Sequence, residues 1–252
     1  MTSLEHGNGQ MNEAAGDARA AELAHKLGLV RQRIESAAAA AGRTEQPRLI
    51  VVTKFHPAAD VRRLAALGVE DVGENRDQEA ASKSAELSGL DVRWHFIGQL
   101  QSNKAKSVAK YAASVQSVDR PQLVEALAKA VVREQDATGR SDLQCFIQVN
   151  LDDDAGAHRG GANPADVEVL AEKIEMAEGL VLSGLMAVAP LGADPHPAFE
   201  RLAKISETLR AVHPAATGIS AGMSQDLEAA VKFGATHLRI GSDILGSRPA
   251  VR

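Results

Sequence analysis

The sequence predicts an α/β fold, a single closed (β/α)8 TIM barrel, on three observations. Its 252 residues match the roughly 250 that one such barrel uses. Short apolar, β-branched runs alternate along the chain with stretches of helical period, the pattern of parallel crossover units. There are eight such runs. Two of them, the second and the fourth, are short, which keeps an open doubly wound sheet as the alternative.

The chain begins with residues 1–19, rich in Gly, Asn, Ala and Glu, which read as a disordered tail ahead of one domain over 20–252. From 20 to 41, Leu23, Leu27, Val30 and Ile34 recur three or four residues apart, so they share one helical face, and Gly42 ends the helix. The first strand is expected over 48–53, where Leu49-Ile50-Val51-Val52 form a continuous apolar run. Further strands are expected at 71–73, 93–97, 114–117, 143–149, 180–186, 217–220 and 236–240. Helices between them are expected at 58–67, 76–88, 120–135, 165–177, 197–212 and 225–233.

Composition narrows the function. The net charge is −5 with basic residues interspersed among acidic ones, so the chain offers no cationic face, and nucleic acid and anionic membrane are excluded as partners. Cys145 is the only cysteine, which excludes an internal disulfide and a cysteine-rich metal site and suits a reducing, cytoplasmic setting. The first twenty residues lack the apolar core of a signal peptide, and no stretch approaches the roughly 18 apolar residues of a membrane span. No long apolar stripe is left over once the barrel is built, so a monomer is expected.

A barrel of this kind binds ligands at the C-terminal ends of its strands, and the polar candidates fall there. Lys54 follows the first strand, Glu74 and Asn75 the second, 98–104 the third and Asn150 the fifth. Residues 220–224 follow the seventh, and Gly241 and Ser242 the eighth, at the two loops where such barrels usually hold phosphate. Taken singly, each has a plainer reading. Lys54 could be a solvated surface charge, Ser224 the N-cap of the next helix, and Arg239 the partner of a carboxylate. His95 reads as a hydrogen-bonded core residue, because no second His or Cys stands at metal spacing. Together, an amine facing two glycine-rich turns is the equipment needed to hold pyridoxal 5'-phosphate.

The motifs are specific. Val52-Thr53-Lys54 with Pro57, Gly73-Glu74-Asn75 with Gln78-Glu79, Trp94-His95-Phe96-Ile97-Gly98 with Leu100-Gln101-Ser102-Asn103-Lys104, Gly184-Leu185-Met186, Gly222-Met223-Ser224 with Asp226-Leu227-Glu228, and Arg239-Ile240-Gly241 resemble the pyridoxal phosphate homeostasis protein family over about 27–246. The resemblance implies an alanine racemase N-terminal domain-like barrel without the C-terminal β domain, carrying pyridoxal phosphate as a Schiff base on Lys54. It implies that Arg239 faces the pyridine nitrogen, that Ser220, Ser224, Gly241 and Ser242 hold the phosphate, and that Asn75 and Met223 line the ring. Three departures stand out: Gln99 for a frequent proline, Arg76 for a common aromatic, and His158-Arg159-Gly160-Gly161 for a Ser-Lys-Ser-Gly-like loop.

Three functions fit these residues. A guanidinium does not give up its proton near neutral pH, so a pyridine nitrogen facing Arg239 stays unprotonated and the ring is a weak electron sink. A two-base racemase also needs a second proton carrier, and the only tyrosine, Tyr111, is expected in a helix of the third crossover, away from the rim. The expectation is therefore a non-enzymatic carrier in intracellular pyridoxal phosphate homeostasis, releasing its cofactor to apo pyridoxal phosphate-dependent enzymes. A low-activity amino-acid racemase is the alternative. A Schiff-base aldolase using the same lysine and phosphate cup is the third.

Overall fold

A computed structural model describes residues 3–152 and 160–247, with side chains from 18 onward. Eight parallel strands follow one another around a closed barrel in chain order. They are β1 (Arg48–Val52), β2 (Asp71–Glu74), β3 (Arg93–Phe96), β4 (Ala112–Val118), β5 (Leu143–Gln148), β6 (Leu180–Met186), β7 (Gly218–Ser220) and β8 (His237–Ile240). Closure is direct, since Val51 of β1 stands opposite Val72 on one side and Ile240 on the other. This decides against the open sheet.

The helices are α1 (Ser3–Ala40), α2 (Ala58–Ala66), α3 (Asp77–Glu86), α4 (Ala105–Val108), α5 (Pro121–Thr138), α6 (Val167–Glu175), α7 (Pro195–Val212), α8 (Leu227–Lys232) and α9 (Ser242–Leu245). Several bury an apolar stripe against the outside of the barrel: Val61 and Leu64 of α2, Leu123, Leu127 and Val131 of α5, and Leu170 and Ile174 of α6 join Val115, Ile147 and Leu238 of the strands in one core. Leu23, Leu27, Val30 and Ile34 of α1 are buried, as their spacing predicts.

Three local expectations change. The helix α1 begins at Ser3 rather than 20, so helix covers most of the stretch read as a tail. Extending a helix already anchored by packing needs no new nucleus, which lets a Gly-containing segment continue it. Tyr111 lies in the turn that leads into β4, not in a helix. And β4 is seven residues long, more than the short run suggested, because its Ser114, Gln116 and Ser117 are polar yet buried. They face a barrel interior that is itself partly polar.

No helix among the described residues is long and apolar enough to cross a membrane, and none of their His, Cys, Asp and Glu side chains group to hold a metal ion. The Cys145 thiol, wholly enclosed, is pushed up to about 12 by burial, so it is chemically quiet.

Candidate cofactor site

The C-terminal mouth of the barrel opens into a cavity of about 650 Å³, and six of the expected residues line it: Lys54, Met223, Ser224, Arg239, Gly241 and Ser242. Asp226, which the expectation did not include, lines it too. Asn75 and Ser220 do not. Asn75 borders the neighbouring hollow beside Arg76, Gln99 and Lys104, with its buried Oδ1 unpartnered.

Lys54 is held from behind. The next residue, Phe55, has φ +68, the only positive value outside glycine among the described residues, a conformation that costs of order 1–3 kcal/mol and persists only where its surroundings fix it. Those surroundings are a buried polar cluster. The Phe55 N–H donates to Glu79 Oε1 at 2.6 Å, and Thr53 Oγ1 donates to Glu74 Oε1 at 2.7 Å. Lys83 Nζ, reaching back from α3, donates to the Thr53 carbonyl at 2.8 Å, to Glu74 at 2.7 Å and to Glu79 at 2.6 Å. All three ammonium protons are used. Burial pushes the Glu74 carboxyl upward, against the opposing pull of Lys83. The Phe55 ring carries Lys54 Nζ at 5.8 Å and the Arg76 guanidinium at 5.0 Å from its centroid, which gives Arg76 a place in this chain.

The two glycine turns form a cup. Gly222 has φ +92, and a Cβ there would stand 2.6 Å from that of Ala230 and 2.8 Å from Leu238 Cδ2, so only glycine allows the turn. A Cβ on Gly241 would come within 3.0 Å of the Val52 carbonyl. With the backbone folded this tightly, the Ser224 and Ser242 hydroxyls lie 3.1 Å apart. Asp226 accepts the Met223 N–H at 2.6 Å. Two hydroxyls brought together by glycine turns, one in the loop before α8 and one at the start of α9, are a donor set suited to a phosphate.

Arg239 forms the floor. It is 4% exposed and donates from Nη1 to Ser220 Oγ at 2.7 Å and from Nη2 to the Ala187 carbonyl at 2.8 Å. Burial pushes its pKa down to about 10, with Asp226 opposing, which leaves it charged at neutral pH. Ser220 is thus engaged beneath the cavity, its own hydroxyl donating a hydrogen bond to Gln116 Oε1 at 2.7 Å. The Gln116 amide nitrogen lies 3.3 Å from His95 Nδ1, and His95 Nε2 lies 2.7 Å from Asp71 Oδ1. A thread of buried polar groups therefore runs down the barrel interior from Arg239 to Asp71. Sequence reading singled out neither Lys83 nor Gln116; the only signal was a polar residue at a position whose neighbours are buried.

Tyr111 points its hydroxyl at Asp77 Oδ1, 3.4 Å away; it does not line the Lys54 cavity, and burial raises its pKa. Of the divergent loop His158-Arg159-Gly160-Gly161, the first two residues lie outside those described.

Eight βα units closed around an amine after β1 and a glycine cup after β7 and β8 define a barrel of the alanine racemase type, and the family model described as alanine racemase, N-terminal domain, matches residues 26–249. Alanine racemase from Corynebacterium glutamicum shares the fold at a TM-score of 0.66 and 14% identity, the match covering 91% of this chain and 62% of that one. More similar sequences are more specific. The pyridoxal phosphate homeostasis protein of Mycobacterium tuberculosis (strain ATCC 25618 / H37Rv) is 44% identical over 245 residues, 91% of this chain and 94% of its own. That of Pseudomonas aeruginosa (strain PAO1) is 39% identical over 227 residues, 90% of this chain and 96% of its own. PipY of Synechococcus elongatus PCC7942, solved with pyridoxal phosphate bound, has a TM-score of 0.76 at 33% identity, covering 89% of this chain and all of PipY. The chain belongs to the pyridoxal phosphate homeostasis protein family.

Proposed function

We propose that this protein binds pyridoxal 5'-phosphate at the cavity above Arg239 and serves in intracellular, cytoplasmic pyridoxal phosphate homeostasis, releasing the cofactor to apo-enzymes. The observation that carries this reading is the single cavity shared by Lys54, Arg239 and the paired hydroxyls of Ser224 and Ser242. When bound, the cofactor supplies an aldehyde that condenses with a lysine amine, losing one water and leaving a Schiff base. Lys54 is the only lysine lining the cavity, so it provides that amine. The Ser224 and Ser242 hydroxyls donate to the phosphate oxygens, and the tight backbone at Gly222 and Gly241 lets main-chain N–H groups approach them. Arg239 offers hydrogen bonds without surrendering a proton, so it keeps the ring nitrogen unprotonated.

A carrier is favoured over a racemase by the ionisable groups around the cavity. Among the described residues, apart from Lys54, they are Asp226 and Arg239; Asp226 is tied to the Met223 N–H, and Tyr111 is turned to Asp77. General acid-base assistance is worth roughly 10² to 10⁴ in rate, and a chain that withholds it turns over amino acids slowly. The test has two parts. Borohydride reduction of the cofactor-loaded protein followed by peptide mapping should place the label on Lys54, and label on another lysine would sink the assignment. Incubation with single L-amino acids should give neither racemisation nor keto acid; robust turnover abolished by Lys54→Ala would establish the racemase instead. A monomer is the working unit of this reading, checked by sedimentation of the loaded protein.

A further inference from the structure

We infer that Arg33, on α1 and outside the eight βα units, is the positioning residue of the phosphate cup: it fastens the turn after β7 to the turn after β8 and so sets the spacing of Ser224 and Ser242. One guanidinium reaches both sides. Its Nη1 donates to the Ser224 carbonyl at 2.7 Å and to Asp243 Oδ2 at 3.1 Å. Its Nε and Nη2 form a two-point contact with the Glu228 carboxylate, the Nη2 arm at 2.7 Å. Ser224 belongs to the first turn of the cup, Glu228 lies in the first turn of α8, and Asp243 follows Ser242 at the start of α9. Every group Arg33 touches thus sits within four residues of one of the two hydroxyls.

The contribution is geometric and local. Two carboxylates surround one guanidinium, so Arg33 adds no net positive field to draw an anion from a distance. It does two other things. The planar fork bonds three groups in fixed directions, which an ammonium cannot reproduce. It also covers Glu228 and Asp243, whose uncompensated charges would repel a dianion at the adjoining hydroxyls. The inference rests on the reading of Ser224 and Ser242 as phosphate donors, and its signature is selectivity for the phosphorylated ligand rather than binding as such.

The experiment titrates the full-length apo chain with pyridoxal phosphate and, separately, with unphosphorylated pyridoxal, following the absorbance of the lysine-bound chromophore. It compares wild type, Arg33→Met, Arg33→Lys and Glu228→Gln, each checked for native circular dichroism. Wild type should strongly prefer the phosphorylated form. Arg33→Met should lose about tenfold or more in affinity for pyridoxal phosphate, the equivalent of one charge-assisted bond or more, with pyridoxal binding unchanged. Arg33→Lys and Glu228→Gln should each fall between, and they carry the test if Arg33→Met does not fold. An Arg33→Met protein with the wild-type preference, or one weakened equally toward both ligands, overturns the inference. A wild type that binds both ligands equally overturns the cup itself, and Arg33 with it.

Discussion

Lys83 holds more of the site than its place in the middle of α3 suggests. Its three bonds to Thr53, Glu74 and Glu79 fix the segment on either side of Lys54, and it is the cation beside a carboxylate that is 1% exposed. Removing one member of a buried pair leaves the other uncompensated. Lys83→Met should therefore destabilise the fold by about 3–5 kcal/mol, read from urea unfolding, and should weaken Lys54 imine formation at temperatures where the variant is still folded. At the cup the expected effect is on ligand rather than fold: Ser224→Ala and Ser242→Ala should each weaken pyridoxal phosphate binding by about 1.5–3 kcal/mol without moving the urea midpoint of the apo protein. The contrast between these residues also shows what could be read in advance. Lys54, Ser224 and Ser242 were legible because each follows a strand beside glycine or a break in the apolar run. Lys83 and Gln116 were not, because they act through long side chains directed across the barrel, and nothing in a linear pattern gives that direction. Ser220 was placed on the phosphate from resemblance, whereas its hydroxyl joins Gln116 to Arg239.

Among the elements, the strands at the base of the interior thread set the response to acid. Asp71 of β2 is opposed by its own burial, but bonds from Arg93 and His95 outweigh that and hold its carboxyl well below the usual carboxylate range. The stability it contributes is complete above about pH 4, the ordinary value for an unfolded aspartate, and drains away as pH falls further toward its folded value. His237 of β8 is pushed down to about 4 by burial, so protonation favours the unfolded chain, and its loss begins below the ordinary histidine value of about 6.5 and runs down to about 4. Both act in the same sense. The urea midpoint should fall from pH 6.5 downward and more steeply below 4, and Asp71→Asn should be less stable at pH 7 yet lose less between pH 5 and 3. A variant with the wild-type slope there would remove Asp71 from the account. The same strands explain why boundaries were harder to read than elements: Ser114 and Gln116 break the apolar pattern of β4 while remaining buried, because the barrel interior tolerates polar groups that bond one another.

At the scale of the whole molecule, closure in strand order sets β1, which leads into residue 54, beside β8, which carries residue 239, far away in sequence. The repeated alternation of strand and helix made that architecture legible. The one addition that alternation did not foretell is the use of α1, which packs against α8 and α9 and delivers Arg33 to the cup. Since the site is assembled from both ends of the chain, ligand and fold are linked. Pyridoxal phosphate at a hundred times its dissociation constant should stabilise the protein by about 2.7 kcal/mol, visible as a rise in the thermal midpoint. Lys54→Ala should reduce that rise sharply while leaving the apo midpoint in place; an unchanged rise would put the ligand elsewhere.

The solitary, enclosed thiol of Cys145 has a practical consequence for watching this molecule work. Its burial and its pKa near 12 deny a maleimide the thiolate it needs, so the native protein should be silent to such reagents and become reactive only on unfolding, as mass spectrometry would register. A thiol introduced on the cavity wall at Leu191, which is 85% exposed and lines the Lys54 cavity, would then be the sole site labelled under native conditions. A fluorophore placed there needs no prior removal of a native cysteine, and its quenching by the neighbouring chromophore would report binding and loss of the cofactor in real time. Labelling of the unmodified native protein at a comparable rate would show that the barrel wall around β5 opens far more often than its packing implies.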